Sequence, residues 1–337
     1  MRMWQKSFSP GKKTPRKNNL THIPVLLNQV LEYLIVDPDG TYIDATVGGG
    51  GHSEGILKRL TPKGKLICID RDEDALRYSK ERLKKFGPKV SFFKVNFGDL
   101  SPFLIDLRLN NISGFLFDLG LCSLQLEDPE RGFSYLREGP LDMRMDTSQT
   151  KKALDVVNQY SAFELSKIFF RYGEERYSRS IAKEIVKRRK KEKIKTTKQL
   201  KDAIESEVNP KYRIKSLSRI FQAIRIEVND ELQELEKGLN SAVGFLKPKG
   251  RICVITYHSL EDRLVKFTFN RLSKGCICPP EFPKCVCGRE SVKELEILTK
   301  KPIKPQREEI EKNRKARSAK LRVAEKHHTG RFEVIPN

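Results

Sequence analysis

The order of apolar segments along this chain predicts an α/β fold, a doubly wound parallel sheet interrupted by a helical insertion, and three observations carry that prediction. Short apolar runs alternate with helix-length amphipathic stretches between residues 42 and 118, which is how βα units read when helices cover both faces of a parallel sheet. The first run leads into four successive glycines at residues 48–51, and an acidic residue, Asp70, closes the next run about one βα unit later. Strand character lapses after Asp118 and returns only at Arg251-Ile252-Cys253-Val254-Ile255-Thr256-Tyr257.

Each element follows from local pattern. Val25, Leu26, Val30, Leu31 and Leu34 recur near helical spacing, and Asp37-Pro38-Asp39-Gly40 closes that helix with a turn. Strand 42–45, helix 53–60, strand 66–69, helix 73–86, strand 90–95 and strand 114–118 come next. The insertion opens a helix with the capping box Ser161-Ala162-Phe163-Glu164. A basic helix around Ile181, Ile185 and Val186, a helix at 200–208 and one long helix over about 218–246 follow, and the turn Lys247-Pro248-Lys249-Gly250 leads into the last strand. The expected organisation is a disordered basic arm at 1–20, a sheet domain from 21–130 and 240–300, a helical substrate-binding insert at 131–239, and a basic C-terminal tail at 301–337. Beside the carboxyl ends of the strands, where open α/β sheets bind ligands, the insert is placed to clamp a substrate.

Composition narrows the class of partner. The chain of 337 residues carries 66 Lys and Arg against 44 Asp and Glu, a formal charge of +22, which calls for a polyanion. The charge is clustered: six basic and no acidic residues in 1–31, ten against two in 183–201, and eleven against four in 300–326. No run approaches the ~18 apolar residues of a membrane span, and the start lacks the apolar core of a secretory signal. The basic start has the charge of an organelle transit peptide without its amphipathic helix. Seven cysteines, an odd number, point to reduced thiols. A cytoplasmic protein without membrane contact is expected, its oligomeric state open and a homodimer among the options.

The segment Asp44-Ala45-Thr46-Val47-Gly48-Gly49-Gly50-Gly51-His52-Ser53 followed by Cys68-Ile69-Asp70 reads as a nucleotide site. Glycines let backbone approach a ligand closely, and a carboxylate at the end of the next strand accepts hydrogen bonds from both ribose hydroxyls. The run departs from the G-x-G-x-x-G that meets a pyrophosphate, so an adenosine-bearing cofactor without phosphates, S-adenosyl-L-methionine, fits better than a dinucleotide.

A series of motifs, in order along the chain, then matches one family. His22-Ile23-Pro24-Val25-Leu26-Leu27, the 48–53 loop, Asp70-Arg71-Asp72, Asn96-Phe97, Asp118-Leu119-Gly120-Leu121-Cys122-Ser123-Leu124-Gln125-Leu126 and Arg131-Gly132-Phe133-Ser134 are the first. Gly139-Pro140-Leu141-Asp142-Met143-Arg144-Met145-Asp146, Tyr172-Gly173-Glu174-Glu175-Arg176, Phe221 to Asn229, Tyr257-His258-Ser259-Leu260-Glu261-Asp262-Arg263 and Arg317 to Arg322 continue the match. Over residues 22–326 the chain resembles the RsmH (MraW) methyltransferases. The resemblance implies a class I, Rossmann-like methyltransferase sheet and transfer of a methyl group from S-adenosyl-L-methionine to N4 of a cytidine in the decoding region of 16S ribosomal RNA, free or in the small subunit. Carried over, it implies cofactor contacts from Gly50, Gly51 and His52 at the methionine end, Asp70 on the ribose, Phe97 beside the adenine, and Asp118 with Gln125 closing the pocket. Phe97 reads also as plain core packing and Asp70 as a helix N-cap. The chain departs from the family at Leu121 and Cys122, where Val and Ser are expected, at Ser216-Leu217-Ser218-Arg219 in place of His-Pro-Ala-Thr-Arg, and at Tyr257 in place of Phe.

Cytosine N4 is a poor nucleophile because its lone pair is delocalised, so the reaction needs acceptors for its hydrogens and in-line placement. Asp118 stands after the fourth strand, where many amino-methyltransferases carry Asp/Asn-Pro-Pro-aromatic, and either orients the amine or holds the cofactor. Asp142 and His258 are further catalytic candidates, each also readable as a structural hydrogen-bonding residue. The cytidine must be unstacked to be reached, which gives the aromatic and basic insert a purpose. Cys276, Cys278, Cys285 and Cys287 have the look of a zinc knuckle, but their one-residue gaps are tighter than the usual two to four, and no metal is expected. The rivals are a DNA amino-methyltransferase, opposed by the missing Pro-Pro segment, and a non-catalytic RNA-binding ribosome-assembly factor, opposed by the intact glycine loop, Asp70 and Asp118.

Overall fold

A computed structural model describes residues 24–274, 278, 284, 286 and 293–327. The basic arm expected at 1–20, and Cys276, Cys285 and Cys287 of the candidate knuckle, lie outside the described residues. The described chain forms two compact units, one running up to Gly120 and resuming at Leu232, the other Leu121–Glu231. In chain order the first carries α1 (Leu27–Leu34), β1 (Thr41–Asp44), α2 (Gly51–Arg59), β2 (Lys65–Asp70), α3 (Glu73–Leu83), β3 (Val90–Lys94), α4 (Leu100–Asp106) and β4 (Ile112–Asp118). The second follows with α5 (Ser123–Glu127), α6 (Ala153–Gln159), α7 (Ala162–Gly173), α8 (Ser178–Lys191), α9 (Thr197–Glu205) and α10 (Arg213–Asn229). The rest is α11 (Glu231–Phe245), β5 (Leu246–Thr256), α12 (Ser259–Lys274), β6 (Leu295–Ile297), α13 (Arg307–Lys312) and β7 (Lys320–Lys326).

The seven strands form one sheet in the order β3-β2-β1-β4-β5-β7-β6. The first five are parallel, and β7 runs antiparallel between β5 and β6. Alternate residues of the inner strands feed two apolar layers: Ile43, Ile67, Ile69, Phe115, Phe117 and Val254 on one face, Tyr42, Leu66, Cys68, Leu116, Cys253 and Ile255 on the other. With both faces buried these strands read as continuous apolar runs, which is why the sequence marks them clearly. The chain builds outward from β1 to β3 and then returns to lay β4 on the other side of β1, a topological switch whose carboxyl-end crevice is where such sheets bind ligands.

The structure corrects four expectations. The basic tail at 301–337 is wrong over its middle: Lys320–Lys326 is an inner strand with Leu321 and Val323 buried. Its basic residues conceal it, because Arg322 and Lys320 are paired with Asp262 at 2.7 and 2.9 Å. The single helix over 218–246 is two, since Asp230 adopts a left-handed φ of 49° and caps α10. The turn at 247–250 lies within β5, where the pairing with β4 shifts register opposite Ile112 and Gly114. The compact helical unit is Leu121–Glu231, about ten residues earlier than 131–239 at its start and eight at its end.

In the helical unit the capping box at Ser161 forms as expected: Glu164 N–H donates to Ser161 Oγ at 3.2 Å, and Ser161 N–H to Glu164 Oε2 at 2.7 Å. The buried faces of α7, α8, α9 and α10 supply Leu165, Phe169, Ile181, Ile185, Leu200, Ile220 and Ile224 to one core. Among the described residues no helix is long and apolar enough to cross a membrane.

Candidate functional site

The carboxyl ends of β1 to β4 place most of the expected cofactor residues in one neighbourhood. After β1 the chain turns through Gly48 (φ 46°) and Gly50 (φ 72°), and Gly50 N–H donates to Val47 O at 2.7 Å. A side chain at either position would be strained in this left-handed region. Gly50 is the N-cap of α2, so Gly51 and His52 are its first residues. Arg82, from α3, braces the turn by donating to Gly49 O and to Glu54 Oε2, both at 2.9 Å. Lys85, Arg82 and Lys58 together hold the Glu54 carboxyl down to about 2.

Asp70 ends β2 and faces the same turn. Its Oδ2 accepts Gly48 N–H at 3.0 Å and its Oδ1 accepts Asp72 N–H at 2.9 Å. The N-cap of α3 is Asp72, which accepts Asp74 N–H at 3.0 Å, so the capping alternative for Asp70 falls to its neighbour. Burial, reinforced by the charge of Asp72, pushes the Asp70 carboxyl up to about 7. The carboxylate is aimed by two backbone donors and sits beside a turn without Cβ atoms, which fits a ribose diol laid across it.

Phe97 follows β3 in a short 3₁₀ turn capped by Asn96. It is half-buried and meets Phe117 edge to face, with centroids 5.8 Å apart. Helix α11 seats this turn: Asn96 Nδ2 donates to Glu234 Oε2 at 2.7 Å, and a Cβ on Gly238 would come within 2.9 Å of Phe97 O.

At the end of β4, Asp118 is held from several sides. Its backbone N–H donates to Thr46 Oγ1 at 2.7 Å, and its Oδ1 accepts the Tyr257 hydroxyl at 2.8 Å. Its Oδ2 lies 3.3 Å from His52 Nδ1, while His52 Nε2 meets Val25 O at 2.8 Å. Beneath them, buried Asp44 accepts Ser53 Oγ–H at 2.6 Å and Thr46 N–H at 3.2 Å; burial raises its carboxyl. Thr46, Ser53 and Asp44 stand inside the glycine segment without a signal of their own, and nothing local in the sequence points to Arg82, Glu234 or the Tyr257 hydroxyl.

The remaining expected residues have neighbours of their own. His258 Nε2 lies 3.1 Å from Glu261 Oε1. In the helical unit, Gln125 is buried and its Oε1 accepts Cys122 N–H at 3.1 Å across the start of α5. Asp142 is gripped at both oxygens by Arg144, at 2.8 and 2.7 Å; burial would raise its carboxyl, and Arg144 overrides that and lowers it. The same loop is anchored by Asn229, whose Oδ1 accepts Met145 N–H at 2.8 Å and whose Nδ2 donates to Met143 O at 2.7 Å. Arg131 donates to Met145 O at 2.9 Å, so three separate sequence motifs meet as one braced loop.

A sheet that reverses between β1 and β4, a glycine turn after β1, an acid closing β2 and an antiparallel last strand define a class I, Rossmann-like methyltransferase sheet. The family profile of the MraW methylase family matches residues 19–327. A protein of Caldicellulosiruptor saccharolyticus called ribosomal RNA small subunit methyltransferase H is 54% identical over 306 residues, covering 90% of this chain and 99% of its own. Proteins of the same name from Carboxydothermus hydrogenoformans and Fusobacterium nucleatum are 52% and 50% identical, over 91% and 90% of this chain and 98% and 96% of theirs. The chain belongs to the MraW methylase family.

Proposed function

We propose that this protein transfers a methyl group from S-adenosyl-L-methionine to the exocyclic N4 of a cytidine in the decoding region of small-subunit (16S) ribosomal RNA, in the bacterial cytoplasm. The observation that carries the reading is the convergence of the glycine turn, Asp70 and a firmly held Asp118 on the carboxyl edge of a sheet whose family is that of the rRNA methyltransferases above. When bound, the cofactor supplies an electrophilic methyl group. Asp70 takes both ribose hydroxyls, the 48–51 turn lets the methionine end come close, and Phe97 flanks the adenine.

Asp118 is the acceptor for the cytosine amine. An amino nitrogen with one hydrogen on a fixed carboxylate would have its lone pair directed toward the methyl group; as the N–C bond forms and the S–C bond breaks, the neutral thioether would leave and the proton would have the carboxylate oxygen to move to. Asp142 and His258 take supporting roles, Asp142 because Arg144 grips it and His258 because it faces Glu261. The RNA is gripped by the basic helix α8. Lys187, Lys190 and Lys191 are exposed there, Lys187 with Glu184 at 3.3 Å, whereas Arg189 is turned to Val157 O at 2.7 Å and Arg188 to Glu184 at 2.8 Å. Tritium transfer from labelled cofactor to ribosomal RNA, with nuclease mapping of the labelled base, tests the reading. Label in DNA, or none with binding intact, gives the answer to one of its rivals.

A further inference from the structure

Asp118 is fixed more thoroughly than a ligand-binding carboxylate needs to be, and the groups that fix it are themselves committed. His52 is buried, and both of its ring nitrogens face acceptors: Nε2 the Val25 carbonyl at 2.8 Å, Nδ1 the Asp118 Oδ2 at 3.3 Å. A neutral imidazole has one N–H, so one of these contacts would set a lone pair against an oxygen; an imidazolium satisfies both. Val25 is not free to turn away, because the next residue, Leu26, holds a left-handed φ of 56° and its N–H donates to Glu309 Oε1 of α13 at 2.7 Å. On the other side, the Tyr257 hydroxyl has Asp118 Oδ1 at 2.8 Å. We propose that His52 and Tyr257 are positioning residues that clamp the Asp118 carboxylate by its two oxygens, with the Glu309–Leu26 contact holding the backbone that anchors the clamp.

The clamp makes one contact at each carboxylate oxygen, so the direction of Asp118 is set before any substrate arrives. Burial opposes a charge on His52, and Asp118, joined by Asp44, overcomes it and raises the imidazole. Those two carboxylates are the charged groups that act on His52 most strongly. Burial and the Asp118 charge likewise raise the phenol of Tyr257 well above its ordinary value, which keeps it a donor. The inference rests on the proposed role of Asp118 for its catalytic consequence but not for its geometry, and the two can be tested apart.

The geometry is read without RNA or cofactor, by ring-nitrogen chemical shifts of the full-length protein labelled at histidine. Followed from pH 6 to 9, His52 should keep protons on both ring nitrogens to higher pH in the wild type and in Tyr257→Phe than in Asp118→Asn. A wild-type ring that loses its second proton at no higher pH than in Asp118→Asn overturns the clamp. The consequence is read from methyl transfer to ribosomal RNA. Tyr257→Phe keeps the ring and removes one hydrogen bond to a charged group, so kcat should fall by roughly tenfold or more with KM for RNA unchanged. A change confined to KM, or kcat equal to wild type, overturns the positioning role of Tyr257 even if His52 titrates as stated. A wild type that transfers no methyl group defeats the functional reading and leaves the histidine result to judge the clamp.

Discussion

The two units of this protein keep their chemistry in different places. In the sheet unit the polar groups of the site stand at strand ends, half-buried, and are aimed by fixed donors: the Asp70 carboxylate by the backbone N–H groups of Gly48 and Asp72, the Asp118 carboxylate by the Tyr257 hydroxyl. In the helical unit the buried polar groups are spent on architecture, Asp142 on Arg144 and Asn229 on the Met143–Met145 loop, while exposed lysines are carried on α8. A small cofactor is read by a few fixed groups with low tolerance; a polyanion is met by many charges, each worth little. Single substitutions should therefore be severe in the first unit and graded in the second.

The sharpest form of that contrast is Asp70→Ala. It removes hydrogen bonds to both ribose hydroxyls, each worth roughly 1.5–3 kcal/mol when one partner is charged, so cofactor affinity should fall by at least about a hundredfold. Calorimetric titration with S-adenosyl-L-methionine measures it, and wild-type affinity in the variant removes Asp70 from the site.

The same residue gives the next largest effect through pH. In the free protein burial lifts its carboxyl from 3.8 to about 7, whereas the ribose hydroxyls prefer the ionised form, so binding releases a proton. Affinity should weaken as pH falls below about 7, by up to about tenfold per unit, and the Asp70→Asn variant should lose that dependence. The folding contribution has the opposite sense. A raised carboxyl favours the folded state below 3.8 and loses that advantage as pH rises through about 7. Thermal melts of the free protein from pH 5 to 8 should thus show a decline that Asp70→Asn flattens. A flat affinity profile in the wild type refutes the raised carboxyl.

In the helical unit, Lys187→Glu, Lys190→Glu and Lys191→Glu together should weaken RNA binding without altering cofactor affinity. The structure narrows the set to these exposed lysines, because Arg188 and Arg189 hydrogen-bond within the unit, to Glu184 and to Val157 O, and their loss would confuse packing with charge. The log–log salt slope should become shallower by about 0.7 for each phosphate of single-stranded RNA that is no longer neutralised. Filter binding across a salt series decides it. Equal slopes in variant and wild type make this run a solvated face.

Legibility in the sequence divides along the same line. The βα rhythm, the glycine turn and Asp70 were readable because they are local: two-sided burial makes each strand an apolar run, and the turn needs glycine at named positions. What escaped was set by contacts far along the chain. β7 was hidden by Lys320 and Arg322, whose partner Asp262 is some sixty residues away. The break at Asp230 leaves the apolar spacing of its two helices unbroken, and the neighbouring Asn229 bonds a loop more than eighty residues earlier. Within the site, Tyr257 was noticed only as a departure from the family; its bond to Asp118 spans 139 positions. No local pattern encodes such a pairing.

The smallest effect expected is that of Cys122→Ser, and it bears on the chemistry itself. Methylation of cytosine at ring carbon 5 needs a cysteine thiolate to add at carbon 6 and activate the ring, so loss of that cysteine ends catalysis. Transfer to N4 needs only a placed acceptor. Cys122 is the N-cap of α5, with its N–H donating to Gln125 Oε1 at 3.1 Å, and serine, a preferred N-cap residue, can fill that position without disturbing the helix. Two of the three other described thiols, Cys68 and Cys253, are buried in the sheet and raised by burial, far from thiolate character at neutral pH. Cys122→Ser should therefore retain activity within about threefold, a difference below 1 kcal/mol, and mass spectrometry of digested product RNA should show N4-methylcytidine. A 5-methylcytidine product, or an inactive Cys122→Ser protein that still binds cofactor and RNA, would move the reaction off the nitrogen and with it the role of Asp118.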